Sequence, residues 1–121
     1  MNGNISNIHK FHLLYYRIKA IRCPAFNNEF IYFNKYGFHH LLYKGRVPRT
    51  NSEINERFSL LNLSIKIIKR STLFSNYRES HIGKSKAYFW AIRGSENGKM
   101  LRIIIRKKNN GKIHFFSLMK E

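Results

Sequence analysis

Hydrophobic positions change their period along the chain, and the changes divide it into elements. Within Ile5 to Arg22, the residues Ile8, Phe11, Tyr15 and Ile18 recur at intervals of three and four. That spacing predicts an amphipathic helix ending before Pro24, with an extended reading of Leu13–Ile18 left open. Glu29–Phe33 is a short aromatic and β-branched run, which predicts a strand. Tyr36–Lys44 predicts a short helix closed by Gly45 in the left-handed position after the last turn. A longer helix follows. Thr50-Asn51-Ser52-Glu53 has the T-x-x-E pattern of a capping box, and Ile54, Phe58, Leu61, Ile65 and Ile68 step by four, three, four and three. Lys66, Lys69 and Arg70 fall in its last turns, where the helix dipole favours cations.

After the polar stretch Ser71–Lys86 the pattern becomes strand-like in three runs, Ala87–Arg93, Met100–Lys107 and Lys112–Leu118. Asn97-Gly98 and Asn110-Gly111 lie between them, and Asn-Gly is a strong hairpin former. The expected architecture is therefore α+β, with N-terminal helices packed on a C-terminal antiparallel meander. With 121 residues, 43% apolar and 15% aromatic, the chain has enough for one core, and residues 1–121 read as a single domain.

Charge narrows the function. Lys and Arg number 23 against 6 acids, a formal net charge of +17. Lys, Asn and Ile are all abundant, as base bias would make them, but such bias would also raise Glu, which stays low. The partner expected from this charge is a polyanion: nucleic acid first, then an anionic membrane surface or an acidic protein, with a merely solvated basic surface as the plain alternative. All six acids are glutamates (Glu29, Glu53, Glu56, Glu79, Glu96 and Glu121) and there is no aspartate. Two-metal nuclease chemistry needs convergent carboxylates, so scattered Glu argue for no metal and no cofactor. The lone Cys23, beside Pro24, rules out an internal disulfide and a Cys-rich zinc module. No segment reaches the roughly 18 apolar residues of a membrane span. The start of the chain, with Asn2, Asn4 and Asn7, has no apolar run of the kind that targets a protein for export.

Two constellations could carry chemistry. On the Tyr36–Lys44 helix, Phe38, Leu41 and Leu42 share an inward face, His40 points away from it, and Lys44 lies one turn further on. His39 falls toward the edge of the apolar face, as a packing residue. Arg46 and Arg49 follow. A histidine of near-neutral pKa beside fixed cations suits general acid or base work on a phosphodiester, while an exposed His on a basic surface is the alternative. In the meander, Arg102, Ile104 and Arg106 alternate onto one side of their strand. In the next strand, Ile113, Phe115 and Ser117 would share one face and His114, Phe116 and Leu118 the other. Were the Arg102/Arg106 side to meet the His40 helix, cations, a hydroxyl and an imidazole would surround one phosphate. Tyr88, Trp90 and Ile92 are either core or a platform for base stacking. His9 and His12 lack further ligands, and Lys84-Ser85-Lys86 lacks the glycines of a phosphate loop.

The element order, with Gly37-Phe38-His39-His40-Leu41-Leu42-Tyr43-Lys44-Gly45-Arg46, then Glu56-Arg57-Phe58 in a capped helix, then Leu101–Arg106 and Phe115-Phe116-Ser117 in a meander, resembles a known family. It is similar to the small metal-independent ribonucleases that include barnase, EndoU, the tRNA-cleaving colicins and RelE, over roughly Glu29 to the C-terminus. The resemblance implies an endoribonuclease toxin of bacterial or phage conflict, from a toxin–antitoxin pair or the tip of a larger effector. It would act on tRNA or mRNA in the cytoplasm and be restrained by an acidic antitoxin or immunity protein. His40 would match the helix histidine, Lys44 a nearby cation, Ser117 the late-strand hydroxyl, and Arg102 or Arg106 the phosphate-binding arginine. Arg46, Arg49 and His39 would support phosphate binding. No glutamate matches the catalytic one of the barnase branch, which points to the colicin-like or RelE-like pattern. The alternative from another class is a non-catalytic RNA- or DNA-binding protein, with association with the ribosome as one version of it, and a third is a membrane-active basic protein using its first helix.

Overall fold

A computed structural model describes residues 3–121, with side chains from Ile8 onward. Asn2 lies outside it, as do the side chains of Ile5 and of Asn4 and Asn7, on which the targeting argument partly rested. The described chain is α+β. Helix α1 (Gly3–Ile18) leads into the hairpin β1 (Ala20–Cys23) and β2 (Glu29–Tyr32), then α2 (Lys35–Leu42). A two-residue hairpin β3 (Tyr43–Lys44) and β4 (Val47–Pro48) precedes the long helix α3 (Asn51–Arg70). The chain closes with β5 (Ser75–Ile82), β6 (Ser85–Glu96), β7 (Lys99–Lys108) and β8 (His114–Lys120).

The predicted meander is present but is part of a larger, mixed sheet. Its six strands run β1-β2-β8-β7-β6-β5, and β2 lies parallel to β8 through the single register pair Tyr32 and His114. Helix α1 ends at Ile18, not at Arg22, because Lys19 takes a left-handed φ of 61° and Ala20–Cys23 pair with β2 instead. The polar stretch after α3 is also a strand. Its side chains are exposed on an edge, so no apolar alternation announces it, and it turns into β6 through Gly83 and Lys84. Asn97-Gly98 makes the predicted tight turn, with φ of 52° and 75°. The second Asn-Gly lies instead in a longer loop before β8, where Asn109 bonds Lys86 through both backbone and side chain.

Helix α3 carries the core. Its capping box forms as predicted: Thr50 Oγ1 accepts from the Glu53 amide, and Glu53 Oε1 from the Thr50 amide at 2.8 Å. Ile54, Phe58, Leu61 and Ile68 are buried, Ile65 only partly, and Leu60 and Ile67 widen the stripe. This stripe covers Ile92, Leu101, Ile103, Ile105, Phe115 and Leu118 on one face of the sheet. Two glycines allow close approach there. A Cβ on Gly94 of β6 would stand 2.7 Å from Ile67, and one on Gly37 of α2 2.5 Å from the ring of Phe115 and 2.6 Å from its carbonyl oxygen. Helix α2 is thus seated against β8, where β2 has ceased to pair. Cys23 is buried, and its burial raises the thiol pKa. Among the described residues, no helix is long and apolar enough to cross a membrane.

Candidate active site

The face of the sheet away from α3 holds the candidate site. In β7, Arg102, Ile104 and Arg106 lie opposite Arg93, Ala91 and Phe89 of β6. Across β8 strict alternation would have turned Ser117 away from them. A bulge corrects this: Ile104 pairs with Ser117 but Ile105 with Phe115, leaving Phe116 as the extra residue. Phe115 and Leu118 both keep to the core, while His114, Ser117 and Met119 share the arginine face. The bulge is what brings the hydroxyl to the cations.

From α2, His40 reaches over β8 onto this face, its ring centre 4.1 Å from that of Phe116. A cleft of about 550 Å³ is lined by His40, Arg78, Arg102 and Ser117, with Tyr77 and Phe89 among its aromatic walls. No carboxylate lines it. His40 is half-buried, and burial pushes its pKa below the usual 6.5, helped by the positive fields of His39, Arg106, Arg49 and Arg57. A neutral imidazole at neutral pH can accept a proton. Its helix end is clamped from behind: Arg49 Nε donates to the His40 carbonyl at 3.0 Å, and the Arg49 amide donates to Leu42 at 2.9 Å.

Arg106 is held between aromatic rings, with its guanidinium carbon 4.1 Å from the ring centre of Phe116 and 4.7 Å from that of Tyr36. Its Nε donates to His114 Nε2 at 3.0 Å. Since Nε of arginine can only donate, His114 Nε2 must be unprotonated, and the ring proton on Nδ1 faces the Lys112 carbonyl at 3.2 Å. Burial lowers His114 from 6.5 to about 4, which keeps this tautomer neutral. Two guanidinium nitrogens on this face, Arg102 Nε and Arg106 Nη2, are buried with no partner. Buried N–H groups of fixed cations without acceptors are poised for an anion. Arg102 has one acid nearby: Glu121, bidentate on Arg93, lies 3.8 Å from Arg102 Nη2.

The sequence-predicted residues separate into two groups. His40, Arg102 and Ser117 line one cleft, and Arg106 and Arg49 flank His40. Lys44, Arg46 and His39 are not among its lining. Helix α2 stops at Leu42, so Lys44 is not one turn beyond His40 but in the β3–β4 hairpin, where its charge acts on Glu53. Gly45 explains the difference. Its φ of +64° serves the first central position of a two-residue turn rather than a helix end, and Arg46 follows exposed at the tip. His39 is exposed, not packed inside, and stacks on Tyr43 at 4.6 Å. Arg57 and His114 escaped the sequence reading. Arg57, named only within the capped helix and given no role, donates to the Leu118 carbonyl. His114 was assigned a face, with no signal for its bond to Arg106. Of the proposed stacking triplet, Ile92 is wholly buried, whereas Tyr88 and Trp90 are half-buried and run into exposed Tyr77, with ring centres 5.5 to 6.4 Å apart. Among the described residues no three His, Cys, Asp or Glu side chains converge as a metal group.

Comparison of the chain with protein-family models, with curated proteins and with solved structures returned no match.

Proposed function

We propose that the protein is an endoribonuclease that cleaves RNA without a metal, by attack of the substrate's own 2′-hydroxyl. The observation that carries this reading is a half-buried histidine biased toward its neutral form, at a carboxylate-free cleft with an arginine and a hydroxyl. His40 takes the 2′-hydroxyl proton, and the oxygen attacks the adjacent phosphorus. The bond to the 5′-oxygen breaks, and that oxygen takes a proton from water in the open cleft. The products are a 2′,3′-cyclic phosphate and a 5′-hydroxyl. Arg102 and Arg106 hold the phosphate and oppose the charge that develops on it, and Ser117 orients it. DNA lacks the 2′-hydroxyl and is not cut.

The test is digestion of RNA in EDTA with mapping of the ends. Wild type should leave cyclic phosphates, and His40→Ala should slow cleavage by about 10²–10⁴-fold, the usual worth of one positioned proton-transfer group. Equal rates for the two proteins overturn the assignment.

A cytoplasmic toxin of this kind would need restraint, and the same charge suits an acidic antitoxin or immunity protein that covers the cleft, whether the chain acts alone or as part of a larger effector. Expression without such a partner should then stop bacterial growth, and harmless expression counts against it. The second reading, a non-catalytic RNA- or DNA-binding protein, draws on the aromatic run Tyr77, Tyr88 and Trp90. Retention of RNA with no cleavage by wild type selects it.

A further inference from the structure

Arg106 has a second neighbourhood on its other side. Tyr36, at the start of α2, has three cations over its ring: Arg106 at 4.7 Å, Lys35 at 5.4 Å and Lys108 at 5.5 Å. Next to it, Lys112 Nζ stands 4.6 Å over the ring of Tyr32 and donates to its hydroxyl at 3.3 Å. A groove of about 320 Å³ runs between Tyr32, Tyr36, Lys108, Lys112 and His114, and no acid lines it. Cations packed this closely repel one another and are not offset by a protein carboxylate here.

We propose that this groove is a second nucleotide subsite, which takes the base and phosphate adjoining the bond cut at His40, so that the substrate is single-stranded RNA read over more than one nucleotide. This deepens the ribonuclease reading and rests on it for the position of the scissile bond. Three observations favour an RNA strand over an acidic peptide. The groove alternates aromatic faces with cations, and a single strand offers bases and phosphates in the same alternation. Arg106 borders both Tyr36 and Phe116, so one guanidinium joins the groove to the neighbourhood of His40. Arg106 Nη2 is buried without a partner, which gives a phosphate between the two subsites a donor to meet. Lys35 and Lys108 are exposed on flexible stems, so their ammonium groups can swing to phosphates while the ring of Tyr36 receives a base.

The experiment measures binding of 2′-O-methyl RNA, which cannot be cut, in lengths of two and four nucleotides. Wild type should gain at least about tenfold in affinity from the longer probe, within the range of one stacked base plus one phosphate. Tyr36→Ala and Lys108→Ala should each reduce that gain at least threefold, and because Lys108 is exposed, its variant stands even where loss of Tyr36 disturbs folding. An unchanged gain in Lys108→Ala overturns the subsite. So does equal binding of oligoglutamate of matched charge, which would mark the groove as a docking site for an acidic protein. Because no cleavage is read, failure of the ribonuclease reading shows separately, in the digestion by wild type and His40→Ala.

Discussion

Acid should loosen this protein first through His114. Its side chain is 3% exposed, and burial holds its pKa near 4 against 6.5 for a free imidazole. Between those values the unfolded chain binds a proton that the folded chain refuses, so stability falls as the pH drops through the window. Above pH 6.5 both states are neutral and the term vanishes. At pH 5 it amounts to about 2 kcal/mol, and below pH 4 it levels off near 3 kcal/mol. His40, also lowered by burial, adds to the loss with the same sign. The glutamates held down by partners, Glu53, Glu96 and Glu121, add theirs as the pH falls below their ordinary 4.5. The variant that isolates His114 is His114→Gln, which can still accept from Arg106 Nε but does not titrate. Urea denaturation at pH 7 and pH 5 gives the measurement. Wild type should lose about 2 kcal/mol more than His114→Gln over that interval, a midpoint difference of about 1 M urea. Equal losses in the two proteins refute the buried, neutral His114. The folded protein takes up that proton only near pH 4, where it would remove the acceptor that orients Arg106, so RNA binding should weaken there in wild type and less in the variant.

Other expectations follow from the placement of the side chains. Arg102→Ala should lower kcat/KM on RNA by about 10²-fold or more, the usual loss of a charge-stabilising donor, whereas Lys44→Ala should cost far less, since its hairpin stands outside the cleft; comparable losses would put Lys44 back in the site. Ser117→Ala should reduce cleavage by less than Arg102→Ala and leave the urea midpoint nearly unmoved, because its hydroxyl lines the cleft. Gly37→Ala should destabilise the fold by about 1–3 kcal/mol and weaken cleavage with it, as its methyl would meet Phe115 and the Tyr15 hydroxyl and push α2 off β8. A wild-type melting temperature in Gly37→Ala would show that α2 is less tightly seated.

Several local features of this protein follow from its sequence without help from the rest of the fold. The Thr50 capping box, the Ile54–Ile68 stripe and the Asn97-Gly98 turn each depend on neighbours within a few residues, where spacing and backbone preference decide. The same holds for the α+β class and for the excess of cations, which is composition. Tertiary structure decided the remainder. Lys19 could reverse the chain, and Ala20–Cys23 become a strand, only because β2 was there to pair with. Ser75–Ile82 became an edge strand because β6 supplied hydrogen bonds that its polar side chains do not advertise. The bulge at Phe116 turned Ser117 toward Arg102, against strict alternation, because Phe115 and Leu118 both had apolar space to fill under α3. The neutral state of His114 arises from burial where β8 meets the sequence-distant β2, and its hold on Arg106 from the register of β7 against β8. Spacing states which residues can share a face, and only packing determines which faces meet and which of their charges water no longer reaches.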